Sequence, residues 1–119
     1  MRDIELEMKI QKSLNEGNNV WVVGDVHGFN QTLRSLVAKL DIKTGDYVVL
    51  LGDLIDRGPD SYDVIQFVKN SPNMATVKGN HEKMMAKVFS LSRLEKPDLR
   101  ISTWFYNGGL STATSYINA

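Results

Sequence analysis

The sequence predicts an α/β fold built on a parallel sheet, and two observations support this prediction. Short apolar runs rich in β-favouring residues recur at 20–23, 47–51 and 74–78. Segments with apolar side chains at helical spacing lie between these runs. Strands that alternate with amphipathic helices form βαβ units, in which the strands are parallel and right-handed crossovers place helices over the sheet faces. We therefore expect three layers, with the sheet between helices.

The predicted elements of the first half are separated by clear breaks. Apolar and charged residues alternate over 4–10, which favours a half-buried strand, although a helix is compatible with the same pattern. Glycine and asparagine at 17–19 break the chain before the run at 20–23, which we interpret as a buried strand. Apolar side chains at helical spacing over 31–40 predict an amphipathic helix.

The second half adds three predicted helices. The first begins near Pro59, where proline and aspartate favour a helix start, and its apolar face contains Val64, Ile65 and Val68. The second is predicted over 82–91. The third begins at Pro97 and continues through 106, and we expect the Asn-Gly-Gly at 107–109 to end it.

The composition is typical of a small globular domain and limits its partners. The chain has 119 residues with a hydrophobic fraction of 42%, which fits one domain spanning 1–119. Its 14 basic and 14 acidic residues leave no net charge to attract nucleic acid or an anionic membrane. It has no cysteine, which excludes disulfides and thiolate metal sites. Because no segment resembles a signal peptide or membrane span, we expect a cytoplasmic protein.

Metal-capable side chains directly follow the first predicted strand, in Gly-Asp-Val-His-Gly at 24–28. Asp25 and His27 are two residues apart, so both side chains can point to the same side of an extended segment. A carboxylate together with an imidazole suits manganese, iron or zinc. Taken alone, this segment also fits a turn with a capping aspartate and an incidental histidine.

The second predicted strand ends in Gly-Asp-Leu-Ile-Asp-Arg-Gly at 52–58. Burying Asp53 and Asp56 together is costly unless a cation or hydrogen bonds compensate their charges. Asp53 is nearest the strand and is placed to meet a metal. The planar guanidinium of Arg57 matches the geometry of a phosphate. The alternative for this segment is a solvated turn with an Asp–Arg ion pair.

The third predicted strand ends in Gly-Asn-His-Glu at 79–82. Asn80 offers a neutral oxygen ligand, and His81 can donate a proton near neutral pH. The alternative is a turn in which Glu82 caps a helix. Both histidines of the chain lie in these segments. Because ligands bind beyond the carboxyl ends of parallel strands, we expect the three segments to form one site.

Together, the three segments resemble the N-terminal signature motifs of the calcineurin-like metallophosphoesterases. The Asp-Arg-Gly followed by Pro59 and the ending Asn-His-Glu resemble the phosphoprotein phosphatase branch. Trp-Phe-Tyr-Asn-Gly-Gly at 104–109 is similar to a segment of the lambda-type bacterial and phage serine/threonine protein phosphatases. The resemblance extends from about Val20 to Ser115. It implies the N-terminal βαβαβ half of the family's β-sandwich, flanked by helices.

The resemblance implies a centre of two divalent metal ions. Asp25 and His27 would bind the first ion, Asp53 would bridge both ions, and Asn80 would bind the second. Manganese is the expected metal, with iron, zinc or nickel as alternatives. Two such ions can activate hydroxide and hold the phosphoryl oxygens for in-line attack.

The resemblance also implies the reaction, which is hydrolysis of a phosphoprotein or a small phosphomonoester by a serine/threonine protein phosphatase. Arg57 would hold a phosphate oxygen, and Asn80 would touch the phosphate from the metal side. His81 would protonate the leaving alcohol, and Asp56 would orient its imidazole.

The sequence departs from the family pattern in its second half. Family members have two further histidine ligands there, whereas this chain has no histidine after His81. We therefore expect a truncated metallophosphoesterase domain. Two alternatives to the phosphatase stay open, namely a symmetrical diadenosine tetraphosphate hydrolase and a non-catalytic module that binds metal. Asp56, Glu82 and the glycines at 108–109 favour the phosphatase over the tetraphosphate hydrolase.

Overall fold

The computed structural model describes residues 2–90 and 97–119 and confirms the predicted parallel sheet. The three strands lie side by side in chain order and are β1 (Val20–Val23), β2 (Tyr47–Leu50) and β3 (Met74–Thr76). In the register, Val23 pairs with Leu50, which pairs with Thr76. These are the last residues of their strands, so all three strands end at the same edge of the sheet.

The helices are placed largely as predicted. They are α1 (Ile4–Asn15), α2 (Asn30–Leu40), α3 (Ser61–Lys69), α4 (Asn80–Val88), α5 (Pro97–Trp104) and α6 (Leu110–Ile117). The predicted helix over 82–91 begins two residues earlier and already ends at Val88, whereas its predicted last residue, Leu91, lies outside the described residues. Among the described helices, none is long and apolar enough to cross a membrane.

The strand predicted over 4–10 is wrong, because this segment forms the first half of α1. Asp3 caps the helix by accepting a hydrogen bond of 2.9 Å from the amide of Leu6, and glutamates occupy the first turn. Such a cap and such charges stabilise a helix start. Ile4 and Met8 are 62% and 68% exposed, so the alternating apolar residues do not form the buried face that a strand pattern presupposes.

One face of the sheet packs against α2 and α3 and forms the main core. Val48 and Leu50 of β2 are fully buried there, with Leu33 of α2 and Val64 and Val68 of α3 in the same cluster. Burying a side chain of this size contributes roughly 1.5–3 kcal/mol. This core fixes β2 at the centre, directly before the loop that follows it.

The opposite face of the sheet is less covered than predicted. Side chains alternate between the faces of a strand, so Val22 points away from the main core, and it is 62% exposed. The prediction that β1 is buried is therefore wrong. Val49, which pairs with Val22 on this face, is only 8% exposed, so the exposed part of the face lies at β1.

The Asn-Gly-Gly at 107–109 was expected to end a helix, and the helical run that begins with α5 is broken there. The segment Phe105–Gly109 joins α5 to α6 across a kink, and Gly108 has a non-helical φ of 103° inside it. Such a left-handed conformation favours glycine. The chain therefore changes direction at Gly108 and continues as α6, which packs on α3.

Candidate active site

Three loops follow the strand ends and form the candidate site. They are the first loop (24–28), the second loop (52–58) and the third loop (77–79), which leads directly into α4. The carbonyl oxygen of Asp53 accepts hydrogen bonds from the amides of Val26 and His27, at 3.1 and 3.0 Å. The amide of Gly28 donates to the carbonyl of Leu54 at 2.8 Å. The first loop is therefore held along the backbone of the second.

The second and third loops pack closely against each other. At two glycines, the space between the loops does not admit a side chain. A Cβ atom on Gly52 would overlap the backbone of Gly79, and one on Gly79 would overlap the amide nitrogen and carboxylate of Asp53. Gly52 also has a φ of 87°. Gly52 therefore requires glycine for its conformation as well as for this close approach, whereas Gly79 requires it for the close approach alone.

Asp25, His27 and Asp53 form a cluster that fits a divalent metal ion. Their ligand atoms all lie within 4.8 Å of one another. His27 Nδ1 lies 2.8 Å from the carbonyl oxygen of Ile55. Since a carbonyl can only accept, Nδ1 is the donor and Nε2 is left for a metal, on the side of Asp25, whose Oδ2 lies 3.8 Å away. This is the arrangement typical of metal-binding histidines.

Backbone conformations of positive φ concentrate in these loops. His27 has a φ of 47° and Asp53 one of 52°, and the neighbours Asp56 and Arg57 have values of 75° and 73°. Non-glycine residues in this region cost about 1–3 kcal/mol each and cluster at functional sites. The surrounding hydrogen bonds hold these residues in place, which indicates that the loops position side chains rather than merely connect elements.

The third loop approaches the cluster through the start of α4. Asp53 Oδ1 accepts a hydrogen bond of 2.9 Å from the amide of His81. Asn80, the first residue of α4, is exposed. Asn80 directly precedes His81, whose amide is bonded to Asp53.

Asp56 and His81 form a buried hydrogen-bonded pair beside the cluster. His81 Nδ1 lies 2.7 Å from Asp56 Oδ2, and the two residues are 7% and 0% exposed. The His81 ring meets the His27 ring edge-on, with 4.6 Å between the ring centres. The structure thus brings together Asp56, which follows β2, and both histidines of the chain.

Arg57 lies at the open side of the second loop. Its side chain is exposed, and its amide donates a hydrogen bond of 3.0 Å to the carbonyl of Gly108. The Asp–Arg ion pair that was the alternative for this loop is not formed with Asp56, whose carboxylate bonds instead to His81. An exposed guanidinium here is available to an anionic ligand.

Sequence reasoning missed three side chains that hold the site. The Glu82 carboxylate accepts hydrogen bonds from the amides of the second loop, whereas the sequence suggested only a helix cap. Trp104 and Thr112 donate to the Asp56 carboxylate. Trp104 lies in the segment that carried a family resemblance, so a signal existed for it. Thr112 is far from every loop in sequence and has no such signal.

Comparisons with known proteins agree on one family. The model of the calcineurin-like phosphoesterase family matches residues 19–118. Serine/threonine-protein phosphatase 2 of Escherichia coli (strain K12) is 44% identical over 72 residues, which cover 60% of this chain and 33% of that protein. Serine/threonine-protein phosphatase 1 of Salmonella typhimurium (strain LT2) is 38% identical over 112 residues, which cover 92% of this chain and 46% of that protein.

Tetraphosphatases are similar to the chain as well. The symmetrical bis(5'-nucleosyl)-tetraphosphatase of Enterobacter sp. (strain 638) is 38% identical over 71% of this chain and 30% of its own length. A crystal structure provisionally described as a diadenosine tetraphosphatase is 36% identical, with a TM-score of 0.53, over 59% of this chain and 32% of that chain. The chain spans less than half the length of these relatives. The family match over 19–118 confirms the predicted fold class and shows that the chain belongs to the calcineurin-like phosphoesterases.

Proposed function

We propose that this chain hydrolyses phosphomonoesters with the help of divalent metal ions, and that its substrates are phosphoserine and phosphothreonine in proteins. The observation that carries the proposal is the hydrogen bond of 2.7 Å between Asp56 and His81, beside the Asp25–His27–Asp53 cluster. This pair supplies a proton donor next to a site that fits a metal. A serine or threonine leaving group needs that proton.

The leaving group distinguishes the two reactions found among the relatives. Hydrolysis of a phosphoseryl ester expels an alkoxide, which is a strong base and leaves poorly without protonation. Symmetrical hydrolysis of a dinucleoside tetraphosphate expels a nucleoside diphosphate, whose terminal phosphate is a weak base and leaves readily. A buried Asp–His pair that presents a proton therefore favours the phosphomonoester reaction. This argument agrees with the sequence features that favour the lambda-type phosphatase branch.

Each loop residue has a proposed role in this reaction. Asp25, His27 and Asp53 would hold divalent metal, with Asp53 as the proposed shared ligand, and Asn80 would add an oxygen ligand. When bound, the ions supply an activated water and neutralise charge on the phosphoryl oxygens. Manganese is the proposed metal, since mixed nitrogen and oxygen donors accept it alongside iron, zinc or nickel.

The remaining residues act on the substrate. Arg57 holds a phosphate oxygen through its planar guanidinium. His81 donates from its imidazolium form, in which Nδ1–H stays bonded to Asp56 and the hydrogen on Nε2 passes to the leaving oxygen. The Asp25–His27–Asp53 cluster is open on the side of Asp25, whose side chain is 62% exposed. An open site of this kind can admit a phosphate group carried on the surface of a protein.

A symmetrical dinucleoside tetraphosphate hydrolase is the second candidate, since relatives and a solved structure with that description match the chain. Turnover of three substrates with Mn²⁺ separates the possibilities: p-nitrophenyl phosphate, a phosphoserine peptide and diadenosine tetraphosphate. We expect the two monoesters to be hydrolysed faster, and chelation or Asp53→Asn to abolish both activities. Faster turnover of the dinucleotide would favour the second candidate. Metal binding without any turnover would identify a non-catalytic metal-binding module.

A further inference from the structure

The segment 104–112 carries two buried side chains that contact Asp56. The proposed reaction assigns no role to either of them. Trp104 Nε1 donates to both carboxylate oxygens of Asp56, at 3.0 and 2.9 Å. Thr112 Oγ1 lies 2.6 Å from Asp56 Oδ1. Trp104 and Thr112 are 3% and 1% exposed, and Asp56 is fully buried. Water therefore cannot replace these hydrogen bonds without a change in the fold.

These contacts determine the orientation of the Asp56 carboxylate. The terminal torsion of an aspartate is broad and has no sharp rotamer preference, so packing alone does not fix the carboxylate plane. An indole N–H can only donate, so Asp56 is an acceptor toward Trp104. With Trp104 reaching both oxygens and Thr112 reaching Oδ1, the plane is fixed and Oδ2 is directed at His81 Nδ1.

The same segment also holds the backbone of the second loop. The amide of Asp56 donates to Thr112 Oγ1 at 2.8 Å, and the amide of Arg57 donates to the carbonyl of Gly108 at 3.0 Å. A Cβ atom on Gly108 would lie 2.7 Å from Arg57 Cγ. Because Asp56 and Arg57 both have positive φ, their conformation depends on such external hydrogen bonds.

We propose that Trp104 and Thr112 are positioning residues, which fix the Asp56 carboxylate and through it the orientation and tautomer of the His81 imidazole. The catalytic consequence rests on the proposed function, in which His81 donates a proton to the leaving oxygen. The positioning itself concerns hydrogen bonds within this chain and is measurable without any substrate.

The first test is an NMR measurement on the full chain at fixed pH. Long-range ¹H–¹⁵N spectra of the histidine rings show which nitrogen of His81 carries hydrogen, and His81→Asn identifies its signals. We expect hydrogen on Nδ1 in the wild type, and mixed or reversed tautomers in Trp104→Phe and Thr112→Val. Thr112→Ser restores the hydroxyl and should restore the wild-type pattern. An unchanged His81 pattern in both Trp104→Phe and Thr112→Val overturns the proposal.

The matched control is Trp21→Phe, which alters the other tryptophan of the chain. Trp21 packs against the main core and is not bonded to Asp56. We expect this variant to lose thermal stability while the His81 spectrum stays as in the wild type. If Trp21→Phe changed the His81 tautomer as much as Trp104→Phe does, general loosening of the core would explain the effect, and the positioning role would be refuted. Thr112→Ser keeps the hydroxyl and Thr112→Val removes it, so the comparison of these two variants stays informative if Trp104→Phe does not fold.

The second test measures catalysis. Full loss of a general acid costs about 10²–10⁴-fold, so we expect partial misorientation in Trp104→Phe to lower kcat for a phosphoserine peptide by about tenfold. For p-nitrophenyl phosphate, whose leaving group needs no proton, we expect less than about a twofold change. Equal losses on both substrates overturn the catalytic half of the proposal. Absence of turnover in the wild type would refute the proposed function, while the NMR result would still decide the positioning role.

Discussion

The carboxylate of Glu82 accepts a hydrogen bond of 2.5 Å from the backbone amide of Asp53. It also accepts from the amides of Leu54 and Gly79, both at 2.9 Å. One side chain at the start of α4 thus binds the second loop and the third loop together. The positive φ of Asp53 and the position of its carboxylate therefore depend on Glu82, which is not a member of the Asp25–His27–Asp53 cluster.

Replacing Glu82 by glutamine should weaken metal binding. The amide of glutamine has one acceptor oxygen in place of two, and its NH₂ group would face a backbone donor of the second loop. Removing a partner of a buried hydrogen bond costs about 1–3 kcal/mol, and groups that orient metal ligands typically contribute about 10–100-fold in affinity. Calorimetric titration with Mn²⁺ measures this effect. Glu5→Gln, on the exposed part of α1, is the control and should leave the affinity unchanged.

Asp53→Asn should reduce metal affinity more than any other single substitution in the chain. Asp53 is the proposed bridge between two ions, and asparagine retains its shape while removing the charge. The comparison is with Asp25→Asn, which removes a proposed ligand of one ion only, and with Asp63→Asn, an exposed position in α3. Elemental analysis after dialysis against Mn²⁺ gives the metal content of each variant. If the Asp53→Asn protein kept as much metal as the Asp25→Asn protein, the bridging role of Asp53 would be contradicted.

Alanine substitutions at three glycines separate backbone strain from steric overlap. Gly17 has a φ of 79° and no atom within 4 Å of an added Cβ, so Gly17→Ala reports strain alone. We expect it to cost about 1–2 kcal/mol. Gly52→Ala adds overlap with Gly79 to the same strain, and we expect a loss above roughly 2 kcal/mol. Gly24 has neither a positive φ nor an atom within 4 Å of an added Cβ. Gly24→Ala should therefore change stability by less than about 0.5 kcal/mol. Urea denaturation would contradict this order if Gly52→Ala were no worse than Gly17→Ala.

The loops could be predicted because their position depends on local signals. Each of the three follows an apolar run that ends in glycine, and parallel strands bring such ends to one edge. Those features are present in short stretches of sequence and needed no knowledge of distant contacts. Asp25, His27, Asp53 and Asn80 were expected to converge because each lies just past a strand end, and the structure places the ligand atoms of the first three within 4.8 Å of one another.

The supporting contacts could not be predicted because they join residues far apart in sequence. Thr112 bonds to Asp56 across 56 positions, and Glu82 bonds to Asp53 across 29. These contacts depend on where α4 and α6 lie after the fold has formed. The error over 4–10 has a different origin, since alternation of apolar residues also occurs on an exposed helix whose cap and charges stabilise it. Period-two alternation identifies a strand only where one face is buried.

The last prediction separates chemistry from metal binding and concerns His81. Asparagine at this position cannot donate a proton in the way imidazolium can, yet it can still form a hydrogen bond to Asp56. We expect His81→Asn to keep the metal content of the wild type, because the cluster of close ligand atoms contains His27 and not His81. We also expect the backbone amide of residue 81 to keep its bond to Asp53, since that bond does not use the side chain.

The substrates should respond differently to His81→Asn. A phosphoserine peptide requires protonation of its leaving alkoxide, so kcat should fall by roughly 10²–10⁴-fold. The nitrophenolate of p-nitrophenyl phosphate leaves without a proton, so its kcat should fall much less. Asp56→Asn should give a weaker form of the same pattern, since asparagine can still bond to the imidazole and orient it. Measuring kcat for both substrates with metal counted in the same samples tests the assignment. A His81→Asn protein that has lost its metal would show that His81 is a ligand, and equal losses on both substrates would show that it is not the proton donor.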